Sequence, residues 1–192
     1  MKLDIYYSYA CRESYLVYAW LKRVEQSGQS LDVHWRPFAI QMDSPNEYWT
    51  QPWESANSEL RGFIAAEAAK RQGSESFSRF HDALESTVHE QLLELGDEST
   101  LNGAAQQAGL DVNRFQVDWR DLQLTQAVQH SHEQGSEKFN ISGTPTLVFP
   151  NGRSFHLELS EVPPVTDVLE AFRVIETMAL RLPYIMQLKR TN

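Results

Sequence analysis

The chain has 192 residues, 41% of them apolar, a net charge of −9 and one cysteine. That size and composition suffice for a core without disulfides, and one cysteine cannot close a bridge within the chain. An acidic chain repels nucleic acid and anionic membranes, no run of eighteen apolar residues is present to span a bilayer, and no basic start leads into an apolar stretch, so neither partner is expected and the cytoplasm is the expected compartment.

Leu3, Ile5 and Tyr7 alternate with Lys2, Asp4 and Tyr6, which is the period of a strand. From Ser14 the period changes. Val17, Trp20, Leu21 and Val24 fall on one face of a helix that Ser27-Gly28 ends. Leu31, Val33 and Trp35 alternate again and run toward Pro37. A strand, a helix and a strand make a right-handed βαβ unit with parallel strands.

The middle of the chain reads as helical. Leu60, Phe63, Ile64 and Ala68 mark one helix, stopped by Gly73. Phe77, Phe80, Leu84, Val88 and Leu92 mark another, stopped by Gly96. Ser99 caps a third carrying Leu101, Ala104, Ala105 and Ala108, with Gly109 after it. Asp111 caps a fourth with Phe115 and Trp119, and a polar helix follows from about Leu122 to Glu133.

Strands return at Thr146 to Phe149. Asn151-Gly152 predicts a two-residue hairpin with both residues at positive φ. Phe155, Leu157 and Leu159 alternate beyond it. Val165, Val168, Leu169, Phe172, Ile175 and Ala179 line the last helix, which Pro183 closes before the basic tail Lys189-Arg190-Thr191-Asn192.

Two pieces stand out chemically. Cys11-Arg12-Glu13-Ser14 places a thiol at a strand-to-helix turn, and Ile141-Ser142-Gly143-Thr144-Pro145-Thr146 opens a later strand. With Asp4 to Leu16, Val33-His34-Trp35-Arg36-Pro37-Phe38 and Ala104 to Asp111, these segments resemble the DsbA-like branch of the thioredoxin superfamily. Within it the chain is similar to the FrnE-type oxidoreductases, the 2-hydroxychromene-2-carboxylate isomerases and the kappa-class glutathione transferases. The resemblance implies an α/β, thioredoxin-like fold with a large all-helical insertion between the βαβ and ββα halves. Residues 1–54 and 136–192 would form the thioredoxin-like domain and residues 55–135 the insertion. FrnE-type proteins carry Cys-x-x-Cys, but Ser14 stands at the second position here. The isomerases and transferases carry Ser at the Cys11 position.

The resemblance implies a thiol-disulfide oxidoreductase acting through Cys11 alone. A helix N-terminus favours a thiolate. The thiolate would attack a disulfide and hold one half as a mixed disulfide. Ser14 cannot close a disulfide, so an external thiol must release the product. The substrate is then a protein thiol or disulfide or glutathione, with glutathione as co-substrate and no permanently bound cofactor. Ser14 is placed to donate a hydrogen bond to the sulfur. The resemblance also implies a cis bond before Pro145. Gly143, Thr144 and Pro145 would then present backbone to an extended peptide or to glutathione. Tyr9 is a candidate wall of the cleft. Arg36 is a candidate partner for a glutathione carboxylate, against the simpler reading of a structural ion pair. The competing reading of Cys11 is a small core residue. His130 and His132 point to different helix faces, so no metal site is expected. The alternative functions are a glutathione-dependent isomerase or transferase, and a peptide-binding module without turnover. A homodimer remains open.

Overall fold

The computed structural model describes residues 1–42, 45–182 and 184–186. The expected helix stop at Pro183 and the basic tail lie outside the described residues.

β1 (Lys2–Tyr7) lies between two neighbours in a four-stranded sheet of order β2-β1-β3-β4. It pairs parallel with β2 (Asp32–Pro37), Lys2 opposite Asp32 and Tyr7 opposite Pro37. It pairs antiparallel with β3 (Thr146–Val148), which pairs antiparallel with β4 (Ser154–His156). β1 is buried on both faces, so Tyr6 is as hidden as Ile5. Leu3 and Ile5 meet Val17, Trp20, Leu21 and Val24 of α1 (Arg12–Gln26) and Phe172 and Ala179 of α8 (Val168–Arg181). Each side chain of the α1 stripe contributes roughly 1.5–3 kcal/mol by leaving water. On the opposite face Tyr6, Phe38 and Val148 pack with Phe139, the last residue of α7 (Leu122–Phe139).

Between the halves lie α2 (Pro45–Tyr48), α3 (Ser58–Lys70), α4 (Ser74–His89), α5 (Glu98–Gln107), α6 (Val112–Asp118) and α7. They share one apolar cluster that Tyr7 and Tyr9 enter from the sheet. Trp53 stacks on Trp119 at 4.6 Å, and Trp119 meets Phe115 edge-on at 5.1 Å. This packing explains how residues of ordinary helix propensity form these short helices: burial of a shared face supplies most of their stability.

Several boundaries differ from the local reading. α4 stops at His89, and Leu92 is exposed with φ +58. The chain reverses there, and Leu95 returns to pack against Gly62, whose missing Cβ would stand 2.8 Å from Leu95 Cδ1. α5 starts ahead of Ser99, with Asp97 as its N-cap. α7 runs past Glu133 to Phe139, and its C-cap Asn140 takes the left-handed conformation that ends helices (φ +53). The β3–β4 turn has three residues. Phe149 N–H donates to Arg153 O, Gly152 N–H donates to Phe149 O, and only Gly152 has positive φ (+79). Val165 is exposed and precedes α8, which begins after the Pro164 carbonyl accepts the Val168 N–H.

α4 turns His81 and Glu85 into the core, both almost fully buried. Tyr9 Oη bonds His81 Nδ1 at 2.8 Å, but neither Glu85 oxygen has a hydrogen-bond partner among the described residues, although His81 Nε2 lies 3.8 Å from Oε1 and His89 Nε2 lies 3.5 Å from Oε2. Burial pushes the Glu85 carboxyl well above its ordinary range and His81 well below its own. The signs oppose. Below the ordinary carboxyl range both folded and unfolded chains hold the Glu85 proton, and its full contribution is present. As pH rises the unfolded chain ionises first, so that stability is lost toward the raised folded value. The lowered His81 acts the other way: its contribution is present above about pH 6.5 and is lost as pH falls below it. Glu85→Gln mimics the protonated acid. Urea unfolding is expected to show the variant more stable by about 1–3 kcal/mol near pH 8, with little difference near pH 4. An equal effect at both pH values would contradict this account of Glu85.

Candidate active site

β1 hands over to α1 through Ser8, Tyr9, Ala10 and Cys11. Cys11 is the N-cap of α1, with extended backbone (φ −104, ψ 114). Its carbonyl accepts the Tyr15 N–H and its own N–H donates to Ser8 O. The first turn of α1 therefore aims unpaired N–H groups and the positive end of the helix at this position.

The sheet brings the second piece to the thiol. In the β1–β3 register Tyr6 faces Thr146. Continuing that antiparallel register by two residues carries Thr144 back toward Ser8 and the thiol turn. Cys11 Sγ lies 3.3 Å from Thr144 O, across 133 positions of sequence, and also 3.3 Å from Glu13 Oε2. The S–H has one proton for these two acceptors. Cys11 is buried, with 7% of its surface exposed, and it belongs to none of the three apolar clusters. The Thr144–Pro145 bond is cis. Pro145 is buried, its carbonyl accepts the Leu157 N–H, and Thr146 Oγ1 donates to Gly143 O at 2.8 Å. Thr144 Oγ1 is buried without a partner among the described residues.

Cys11, Thr144, Pro145 and Gly143 thus come together. Ser14 is 1% exposed and does not bond the sulfur: its Oγ accepts the Ser8 N–H at 3.3 Å. Its position on α1 turns the hydroxyl inward, under the thiol turn. Tyr9 is fully buried and bonds His81, so its side chain packs in the helical cluster instead of walling a cleft. Arg36 Nε pairs with Asp4 Oδ1 at 2.9 Å across the β1–β2 ladder, the structural ion pair of the two readings.

Two residues of the helices hold the turn and escaped the sequence reading. His89 Nε2 donates to Tyr9 O at 3.0 Å, and its ring stacks on Tyr15 at 4.8 Å. Burial lowers its pKa below the usual histidine value. Glu59 accepts from Ser8 Oγ at 2.6 Å. Neither carries a local signal, because each acts across more than fifty residues of sequence. A cavity of about 690 Å³ runs along β2 beside Tyr18, Trp35, Phe77 and His81, away from Cys11 and Pro145.

No curated protein matches the chain. Its fold is similar to solved structures at low identity. The cytosolic disulfide reductase DsbM from Pseudomonas aeruginosa with GSH has 13% identity and a TM-score of 0.64, covering 92% of this chain and 99% of that one. A thioredoxin-like oxidoreductase from Silicibacter pomeroyi has 16% identity and a TM-score of 0.61, covering 92% and 86%. The oxidoreductase NmDsbA1 from N. meningitidis has 15% identity and a TM-score of 0.55, covering 92% and 84%. These likenesses establish a DsbA-like thioredoxin fold with inserted helices. The family model described as Thioredoxin matches residues 1–167, most of the chain including both halves of the thiol site, and the chain belongs to that family.

Proposed function

We propose that this protein is a thiol-disulfide oxidoreductase that works through the single thiol of Cys11, with glutathione as co-substrate. The observation that carries this reading is the 3.3 Å approach of Cys11 Sγ, at the start of α1, to the carbonyl that precedes cis-Pro145. Family membership and the likeness to named oxidoreductases support it. The neighbour crystallised with GSH supports the choice of co-substrate.

The chemistry balances without a second cysteine. Cys11 gives up its proton to solvent, and its thiolate attacks one sulfur of a substrate disulfide. The Cys11–substrate S–S bond forms, the substrate S–S bond breaks, and the departing thiolate takes up a proton. A glutathione thiolate then attacks the mixed disulfide. It forms a new S–S bond with the substrate half and releases the Cys11 thiolate. Each step exchanges one disulfide for another, so no electrons are left over. Once the sulfur has lost its proton, Thr144 O no longer accepts from it. That carbonyl is then available to the N–H of an extended substrate, in the manner of one added strand. A working thiol that must stay reduced suits the cytoplasm.

The test is incubation of the folded protein with oxidised glutathione, read by intact mass. One adduct per chain, mapped to Cys11 and removed by reduced glutathione, is the expected result. A folded protein that never acquires the adduct overturns the reading.

A further inference from the structure

Glu59 occupies the first turn of α3 and is fully buried. Its oxygens accept from Ser8 Oγ at 2.6 Å, from Tyr48 Oη at 3.1 Å and from the Gln41 N–H at 3.0 Å. The Ile40 N–H is shared between both oxygens, at 3.1 and 3.2 Å. Every one of these partners is a donor from a neutral group. A buried carboxylate is costly, and donors of this kind only offset the loss of water. Apolar packing would stabilise α3 at lower cost. What the carboxylate supplies that packing cannot is direction: four groups from three segments are held to one point.

One of those groups is the centre of the thiol turn. Ser8 Oγ donates to Glu59 and accepts the Ala10 N–H at 3.1 Å. Ser8 O accepts the Cys11 N–H at 3.1 Å, and the Ser8 N–H donates to Ser14 Oγ at 3.3 Å. A displacement of Ser8 therefore moves Ala10, Cys11 and Ser14 together.

We infer that Glu59 is the positioning residue for Cys11: acting through Ser8, it sets where the sulfur stands against the Thr144–Pro145 turn. The same carboxylate fixes Ile40 and Gln41 just beyond β2, so the helical block and the sheet meet at the thiol through one side chain. The functional meaning of this inference rests on the thiol-exchange reading above. It also gives Ser14 a role, as the acceptor that completes the Ser8 hub.

The experiment compares two rates at Cys11 in folded parent protein, Glu59→Gln and Ser8→Ala. One is alkylation by iodoacetamide, which needs only access to the sulfur. The other is exchange with oxidised glutathione, which also needs the sulfur placed against Thr144. Gln keeps the shape of Glu59 but offers an N–H₂ to a backbone donor. Ser8→Ala cuts the link and leaves Glu59 its other three partners. Alkylation is expected to rise in both variants as the turn loosens, and the ratio of exchange to alkylation to fall by about tenfold. A general loss of stability would not move that ratio in the folded protein. If Glu59→Gln does not fold, Ser8→Ala decides alone. A folded Ser8→Ala protein with the parent's alkylation rate and ratio overturns the inference. If the parent itself never exchanges with glutathione, the exchange reading fails, and the alkylation rates still decide whether Glu59 and Ser8 hold the turn.

Discussion

Replacing Cys11 with serine is expected to remove glutathione adduct formation and disulfide exchange completely, while the melting temperature stays within about 4 °C of the parent. The loss is total because the chain has no other thiol, and an alcohol cannot form a disulfide. The stability is retained because position 11 is the N-cap of α1, where serine is among the preferred residues. A serine hydroxyl can also donate to Thr144 O, which the Cys11 S–H now does at 3.3 Å. The check is intact mass after oxidised glutathione, with a thermal melt of the same sample. Turnover that survives the substitution would remove Cys11 from the chemistry. Turnover on an apolar electrophile, with reduced glutathione still bound, would place the protein with the isomerases and transferases instead.

Gly135→Val is expected to cost about 3 kcal/mol, the upper end for overpacking. α7 crosses the sheet at this glycine. A Cβ there would stand 2.7 Å from Tyr6 Cε1, 2.9 Å from Tyr6 Cδ1 and 3.0 Å from Phe38 Cδ2. Neither ring can retreat. Tyr6 belongs to the central strand and is 1% exposed, and Phe38 is 4% exposed and meets it edge-on at 6.2 Å. The Tyr6 hydroxyl also donates to Gln134 of the same helix. Relief requires α7 to lift, which would expose the cluster of Tyr6, Phe38, Val148 and Phe139. Valine adds a branched Cβ to that clash, so alanine is expected to cost less, all the more because it lowers the chain entropy that glycine brings to the unfolded state. Urea unfolding should move the midpoint with little change in slope. A valine variant as stable as the parent would mean that α7 does not approach the sheet this closely.

Gly135 also shows where reading by sequence stops. It sits in a polar stretch and looks like a weak point in a helix, or the end of one. Its necessity comes from two rings that reach it from residues 6 and 38. The same holds for Glu59 and His89, which look like ordinary surface residues of α3 and α4 and in fact grip the thiol turn. Ser14 was legible as a position and misjudged as a contact. Its hydroxyl was expected at the sulfur and is found on the Ser8 N–H, because the direction of a side chain in the first turn depends on what is packed beneath it. Tyr9 turned inward for a similar reason: His81 waits for its hydroxyl 72 positions away.

Patterns with a period of two or 3.6 residues are local, and they were enough to order the strands and the longer helices, though not the four-residue α2, and to place Cys11 at the head of α1. A thiol at a strand-to-helix turn and a Gly-Thr-Pro segment before a later strand were likewise visible without coordinates. The meeting of those two pieces depends on the antiparallel register of β1 with β3, and the hold on the thiol depends on carboxylate and imidazole groups delivered by distant helices. Contacts of that kind are chosen by how whole elements pack in three dimensions, and no window of neighbouring residues contains the information.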